Sequence, residues 1–230
     1  MTNETTGGAS DTAAVLDPVE LRVLAVLAEK EALTPDNYPM SLNAIVNGCN
    51  QLSSRDPVMQ LGEDTVLDTL QRLTERKLVN AISQAGARVV KYEHRMRIKW
   101  TLEQDKLAVL TILMLRGLQT AGEIRTRTGR LHEFKTVQDV ESALQFLIDK
   151  YPPLVAKLER APGAKESRYG QLLGGEITIV GGSEQSASSA SGGGLTQGAR
   201  VQQLEQEVAS LRGELEELKV QFEAFRQQFQ

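Results

Sequence analysis

The chain is poor in sulphur, histidine and aromatic residues. Its 230 residues include one cysteine, two histidines and one tryptophan, and aromatics make up 4%. A single cysteine, Cys49, allows no disulfide framework and no cysteine-based zinc cluster within one chain. That economy fits a reducing cytoplasm. His94 and His132 stand in no HExxH or HxxEH spacing, and no CxxC pair or GxxxxGK loop occurs. No metal and no cofactor is therefore expected, and the chain is not expected to be an enzyme. Long hydrophobic runs are also missing. The longest, LAVLTILML (Leu107 to Leu115), falls well short of the roughly 20 residues a spanning helix needs. The opening residues, MTNETTGGASDTAAV, lack the basic and apolar regions of a signal peptide. The expectation is a cytoplasmic protein that makes no use of a membrane.

What is present points to a folded core. Hydrophobic residues make up 40%, which excludes wholesale disorder. The formal net charge is -4, yet it is unevenly placed. Between Asp17 and Leu173 there are 22 Lys+Arg against 20 Asp+Glu, so the acidity belongs to the flanks. Residues 1–16 are small and polar and read as a disordered arm. Residues 174–199 are rich in Gly and Ser and read as a flexible linker.

Inside the core one order of elements occurs twice. LRVLAVLAEKE places Leu21, Leu24, Val26 and Leu27 at helical spacing. SLNAIVNGC follows, with Ser41 as N-cap and Leu42, Ile45, Val46 and Cys49 on one face. EDTVLDTLQRLTERK gives a third helix through Val66, Leu70 and Leu73, and LVNAISQAGARVVKYEH reads as a hairpin around Gly86. In the second copy DKLAVLTILMLRG, TAGEIRTRTG and TVQDVESALQFLIDK are the helices, the latter two capped by Thr120 and Thr136. LVAKLERAPGAKESRYGQLL is the second hairpin, turning at Pro162-Gly163. Three helices and a hairpin make a winged helix-turn-helix. The expected fold is mainly α with small β wings: a tandem winged-helix core with domains at 17–100 and 101–173.

The stretches TPDNYPMSLNAIVNGCNQLSSRDPVM, RVVKYEHR, LMLRGLQTAGEIRTRTGRLHEF and PGAKESRYGQLL resemble the YceH-like family of bacterial proteins. The resemblance covers Leu16 to Leu173 and implies a tandem winged-helix fold. It carries no functional residues over, and the acidic tail looks like an addition to the family's core.

The function must come from the residues. GARVVKYEHRMRIKW (Gly86 to Trp100) holds Arg88, Lys91, Arg95, Arg97 and Lys99 against one anion, Glu93. It is expected to form the first wing and the strand leaving it, and to contact the phosphates of double-stranded DNA. Arg125, Arg127 and Arg130 form a second basic set, with Lys135 and Arg116 nearby. The third helices argue against a major-groove reader. One offers Glu63, Asp64, Asp68 and Glu75, the other Gln138, Asp139, Glu141 and Asp149, and carboxylates repel phosphates. The alternative is a protein-protein adaptor, for which acidic helices suit basic partners. Asn43, Asn47, Asn50, Gln51 and Arg55 read either as a polar contact surface or as bridges to the loop before the third helix. Cys49 is expected to be buried and structural, and His94 and His132 to be solvated.

Residues 200–230 carry a heptad seam: Val201, Leu204, Val208, Leu211, Leu215, Leu218, Phe222 and Phe225, continuing to Phe229. With Val201 at a, Glu207 and Glu214 fall at g and meet Arg212 and Lys219 at e of a parallel partner. The tail is expected to be a coiled-coil helix that makes the chain a homodimer.

Overall fold

The computed structural model describes residues 15–83, 89–160 and 164–177, which all fall within one compact unit. The tail residues Val201 to Phe229, Arg88 and the Pro162-Gly163 turn lie outside the described residues. The described chain is mainly helical with two small antiparallel sheets.

Helix α1 (Pro18–Leu33) starts on a capping box. The Asp17 carboxylate accepts from the N–H groups of Val19 and Glu20, and Glu20 accepts from the Asp17 N–H. Every residue from Glu20 to Glu29 is buried, so the helix is covered on all sides. A short strand, β1 (Met40–Ser41), leads into α2 (Leu42–Cys49), where Ser41 Oγ accepts from the Ala44 N–H as the N-cap. Helix α3 (Glu63–Glu75) buries Val66, Thr69, Leu70 and Leu73 on one side. Strands β2 (Val79–Ile82) and β3 (Lys91–His94) complete the first half. β3 is central, pairing with β1 through Met40 and Tyr92 and with β2 through Val79 and His94.

The residues after β3 differ from the expected strand. Met96–Trp100 form a short helix, α4, ended by Thr101 at φ 49°. Met96 is buried while Ile98 and Lys99 are exposed, a helical rather than an alternating pattern.

The second half runs α5 (Gln104–Arg116), α6 (Ala121–Thr128), α7 (Val137–Ile148), β4 (Val155–Lys157) and β5 (Tyr169–Gln171). Thr120 and Thr136 both form capping boxes, with Glu123 and Asp139 as the reciprocating acids. Gln119, just before α6, bridges to Tyr169 of β5. It occupies the place that β1 holds before α2.

The apolar run Leu107–Leu115 that cannot span a membrane is buried throughout in α5, which packs on α1. Residues of both halves join one hydrophobic cluster, from Leu24 and Ile45 to Leu144 and Val155. Each fully buried leucine there stabilises by roughly 1.5–3 kcal/mol. No helix of the described residues is long and apolar enough to cross a membrane.

The segment between α2 and α3 is fastened from below. The Arg55 side chain is fully buried and donates to both Glu29 carboxylate oxygens (2.6 and 3.2 Å), to the Gly48 carbonyl and to Gln51 Oε1. Arg22, also buried, donates to the carbonyls of Cys49 (3.1 Å) and Pro57 (2.6 Å). The Asp56 N–H donates to the Leu115 carbonyl, so the segment also holds α5. Arg55 is thus not part of a contact surface: its guanidinium closes a loop from the inside. Asn50 bridges the same loop, exchanging two bonds with the Leu61 backbone, while exposed Asn43 and Asn47 bond each other.

Candidate nucleic-acid interface

The first hairpin presents two chemically different faces because β3 alternates. Tyr92 and His94 point inward and are buried, while Lys91 and Glu93 lie on the outer side. Glu93 is held by the Asn80 amide across the sheet (2.9 Å). Arg95, immediately after the strand, is exposed, as is Lys99 one helical turn later. Lys91, Arg95 and Lys99 form no ion pair among the described residues.

Arg97 does not join them. Its guanidinium donates to Glu31 of α1 (2.9 and 3.2 Å) and to Gln104 Oε1 of α5. Glu31 also accepts from His94 Nε2 (3.1 Å), whose Nδ1 accepts from the Met96 N–H. That pairing assigns the ring proton to Nε2. Gln104 continues the chain by donating to the Leu131 carbonyl. The Tyr38 hydroxyl accepts from the His94 N–H, and burial pushes its pKa well above the ordinary tyrosine range. The hydrogen bond from His94, reinforced by Arg97 and working against burial, holds the Glu31 carboxyl down at about 2.

His94 is therefore not solvated. Its side chain is 1% exposed, and it forms part of the buttress behind the hairpin. The nearby carboxylate that holds it comes from a helix 63 residues away in sequence, and local composition carries no trace of it. His132 is half-buried and meets Phe134 edge-on.

The second basic set is largely engaged. Arg125 is exposed but fastens the turn before α7 by donating to the Phe134 and Lys135 carbonyls. Arg127 donates to Gln119 Oε1 (2.6 Å) and lies 3.7 Å from Glu123. Arg130 is exposed. Arg116 donates to Ser54 Oγ on the loop after α2.

The acidic residues of the third helices face outward. Glu63, Asp64, Asp68 and Glu75 on α3 are all exposed, as are Gln138, Asp139, Glu141 and Asp149 on α7. Asp139 serves the Thr136 cap, whose backbone N–H holds its carboxyl below the usual range. Asp149 accepts from Gln145. The Asp68 and Glu75 side chains make no hydrogen bond or ion pair among the described residues. Phe146 on α7 is partly exposed between the ammonium groups of Lys106 and Lys150 at 5.2 and 5.0 Å.

Cys49 sits apart from all of this. It is fully buried, and burial pushes its thiol up to about 12, against the pull of Arg22 and Arg55. A thiol so placed is an inert packing group.

The architecture is that of a mainly helical protein whose two halves repeat one order of elements and whose first half exposes cations beside its hairpin and acids on its third helix. A family model described as "Protein of unknown function, DUF480" matches residues 16–164. A UPF0502 protein of Janthinobacterium sp. (strain Marseille) is 65% identical over 216 residues, covering 94% of this chain and 92% of its own. One from Azoarcus sp. (strain BH72) is 50% identical over 226 residues, 98% of this chain and 99% of its own. One from Vibrio parahaemolyticus is 45% identical over 216 residues, 91% of this chain and 97% of its own. The chain belongs to this DUF480/UPF0502 family, to which the YceH-like resemblance pointed. The match to the Azoarcus protein extends well beyond Leu173, so the tail is not an addition peculiar to this chain.

Proposed function

We propose that the chain is a non-catalytic tandem winged-helix protein that binds double-stranded DNA through its first wing. Each half supplies three helices and a hairpin, and in each a short extended stretch before the second helix pairs with the last strand. In this reading β2 and β3 are the first wing and β4 and β5 the second. The observation that supports the DNA reading is that Lys91 of β3, Arg95 just after it and Lys99 of α4 are each exposed and free of ion pairs among the described residues. The acidic exposed sides of α3 and α7 keep both third helices out of a major groove, so contact is wing-led and made to phosphates. Three neutralised phosphates give a salt exponent near -2.7, or about a 40-fold loss of affinity between roughly 50 and 200 mM salt.

Fluorescence anisotropy with a labelled duplex tests this. A chain truncated at Leu173, which presents one wing, should lose affinity by about that factor over the salt range. Lys91→Glu, Arg95→Glu and Lys99→Glu combined should abolish binding while circular dichroism stays unchanged. Retention of wild-type affinity by the triple variant at low salt refutes the wing. A second reading, a protein-protein adaptor, is favoured by the exposed carboxylates Asp68 and Glu75 of α3, which serve no cap or ion pair among the described residues. Failure of wild type to bind DNA even at low salt selects it.

A further inference from the structure

A cavity of about 420 Å³ lies where the two halves meet. The first half lines it with Leu78, Lys99 and Trp100, the second with Pro153, Leu154 and Leu172. Its volume falls within the roughly 300–1,000 Å³ of small-molecule sites. The described walls are mostly apolar, and no carboxylate of a described residue lines them. Both charged groups among the described lining residues are cations, Arg76 and Lys99. Arg76 already pairs with Glu20 at 2.8 Å. Lys99 pairs with no acid among the described residues, so its charge is available to a ligand.

We propose that this cavity binds a small amphipathic monocarboxylate, its apolar body between Trp100, Leu154 and Leu172 and its carboxylate at Lys99. The charge balance selects the class. A neutral apolar molecule leaves the ammonium unused. A dianion such as phosphate meets walls that cannot replace its hydration. One negative charge on an apolar body matches one available cation beside an apolar chamber. Because both halves line the chamber, the site exists only when they are packed together, and occupancy stabilises that packing. Lys99 is shared with the proposed DNA contact, but this inference is tested without nucleic acid, so its failure leaves the DNA reading standing and the reverse.

Trp100 is the only tryptophan of the chain, so its emission reports this cavity alone. The full-length protein is titrated with octanoate and, separately, with octanol, which has the same chain length and no charge. Octanoate should shift Trp100 emission saturably to the blue, and octanol should bind about threefold to fivefold more weakly. Lys99→Gln, a change at an exposed side chain, should reduce octanoate affinity to that of octanol and leave octanol unaffected. The proposal is overturned if octanoate produces no saturable shift up to millimolar concentration, which includes the case of a chamber filled by protein. Equal affinities for the two ligands also overturn it, as does an unchanged octanoate affinity in Lys99→Gln.

Discussion

Glu31 joins three elements through one carboxylate. It accepts from His94 at the end of β3 and from Arg97 of α4, while standing near the end of α1. The bond from His94 is the largest influence lowering its pKa from 4.5 to about 2. A depressed folded-state pKa stabilises the fold fully above the unfolded value, and that contribution is lost as the pH falls towards the folded one. The window is therefore pH 4.5 down to about 2. Glu31→Gln should cost on the order of 1–3 kcal/mol near neutral pH. Its deficit should close as urea melts are repeated at falling pH through this window. A deficit independent of pH would show that packing of the side chain, rather than its charge, matters. Arg97 belongs to the same cluster, and for that reason it is left out of the wing variant proposed above. The sequence places Arg97 and Lys99 in one basic run, and only the fold separates a buttress from an exposed cation.

At the scale of elements, the helices were legible because period and caps agreed. Asp17, Ser41, Thr120 and Thr136 cap the elements that the apolar spacing predicts. The stretch after β3 reads as a strand, because RMRIKW alternates basic and apolar residues, yet it is helical. Met96 turns into the core and Ile98 turns out, so the backbone closes into α4. The packing of α2 on α1 depends on a residue with no side chain. A Cβ on Gly48 would come within 2.6 Å of Val26 Cγ1, and Val26 is itself fully buried. Gly48→Ala should therefore destabilise by about 1–3 kcal/mol despite the better helix propensity of alanine. Thermal melts of Gly48→Ala and the double variant Gly48→Ala/Val26→Ala provide the check. Partial recovery is expected in the double variant, because the clash is removed. A Gly48→Ala variant as stable as wild type would mean that α2 shifts freely on α1.

Across the whole molecule, charge is sorted by element rather than by half. Exposed cations mark β3 and α4, and exposed acids mark α3 and α7. One wing with three contacts is a weak binder, and joining two chains raises its effective concentration. We propose that the heptad seam read in the sequence from Val201, outside the described residues, supplies such a junction. Sedimentation should give a dimer for the full chain and a monomer after truncation at Leu173. The truncated chain should bind duplex DNA more weakly without any change at the wing itself. A full chain that remains monomeric at tens of micromolar rules out the coiled-coil pairing.

The sequence by itself determined all the longer helices, though not α4, where most of them begin, the duplicated order of elements and the burial of Cys49. These follow from local propensity, capping chemistry and apolar period, all of which act within a few residues. Tertiary structure decided which charges are spent. Arg55 meets Glu29 across 26 residues and Arg97 meets Glu31 across 66, and no local signal encodes such pairings. It also decided that α1 and α5 share one core, because the broad apolar surfaces of both helices stay out of water by covering each other.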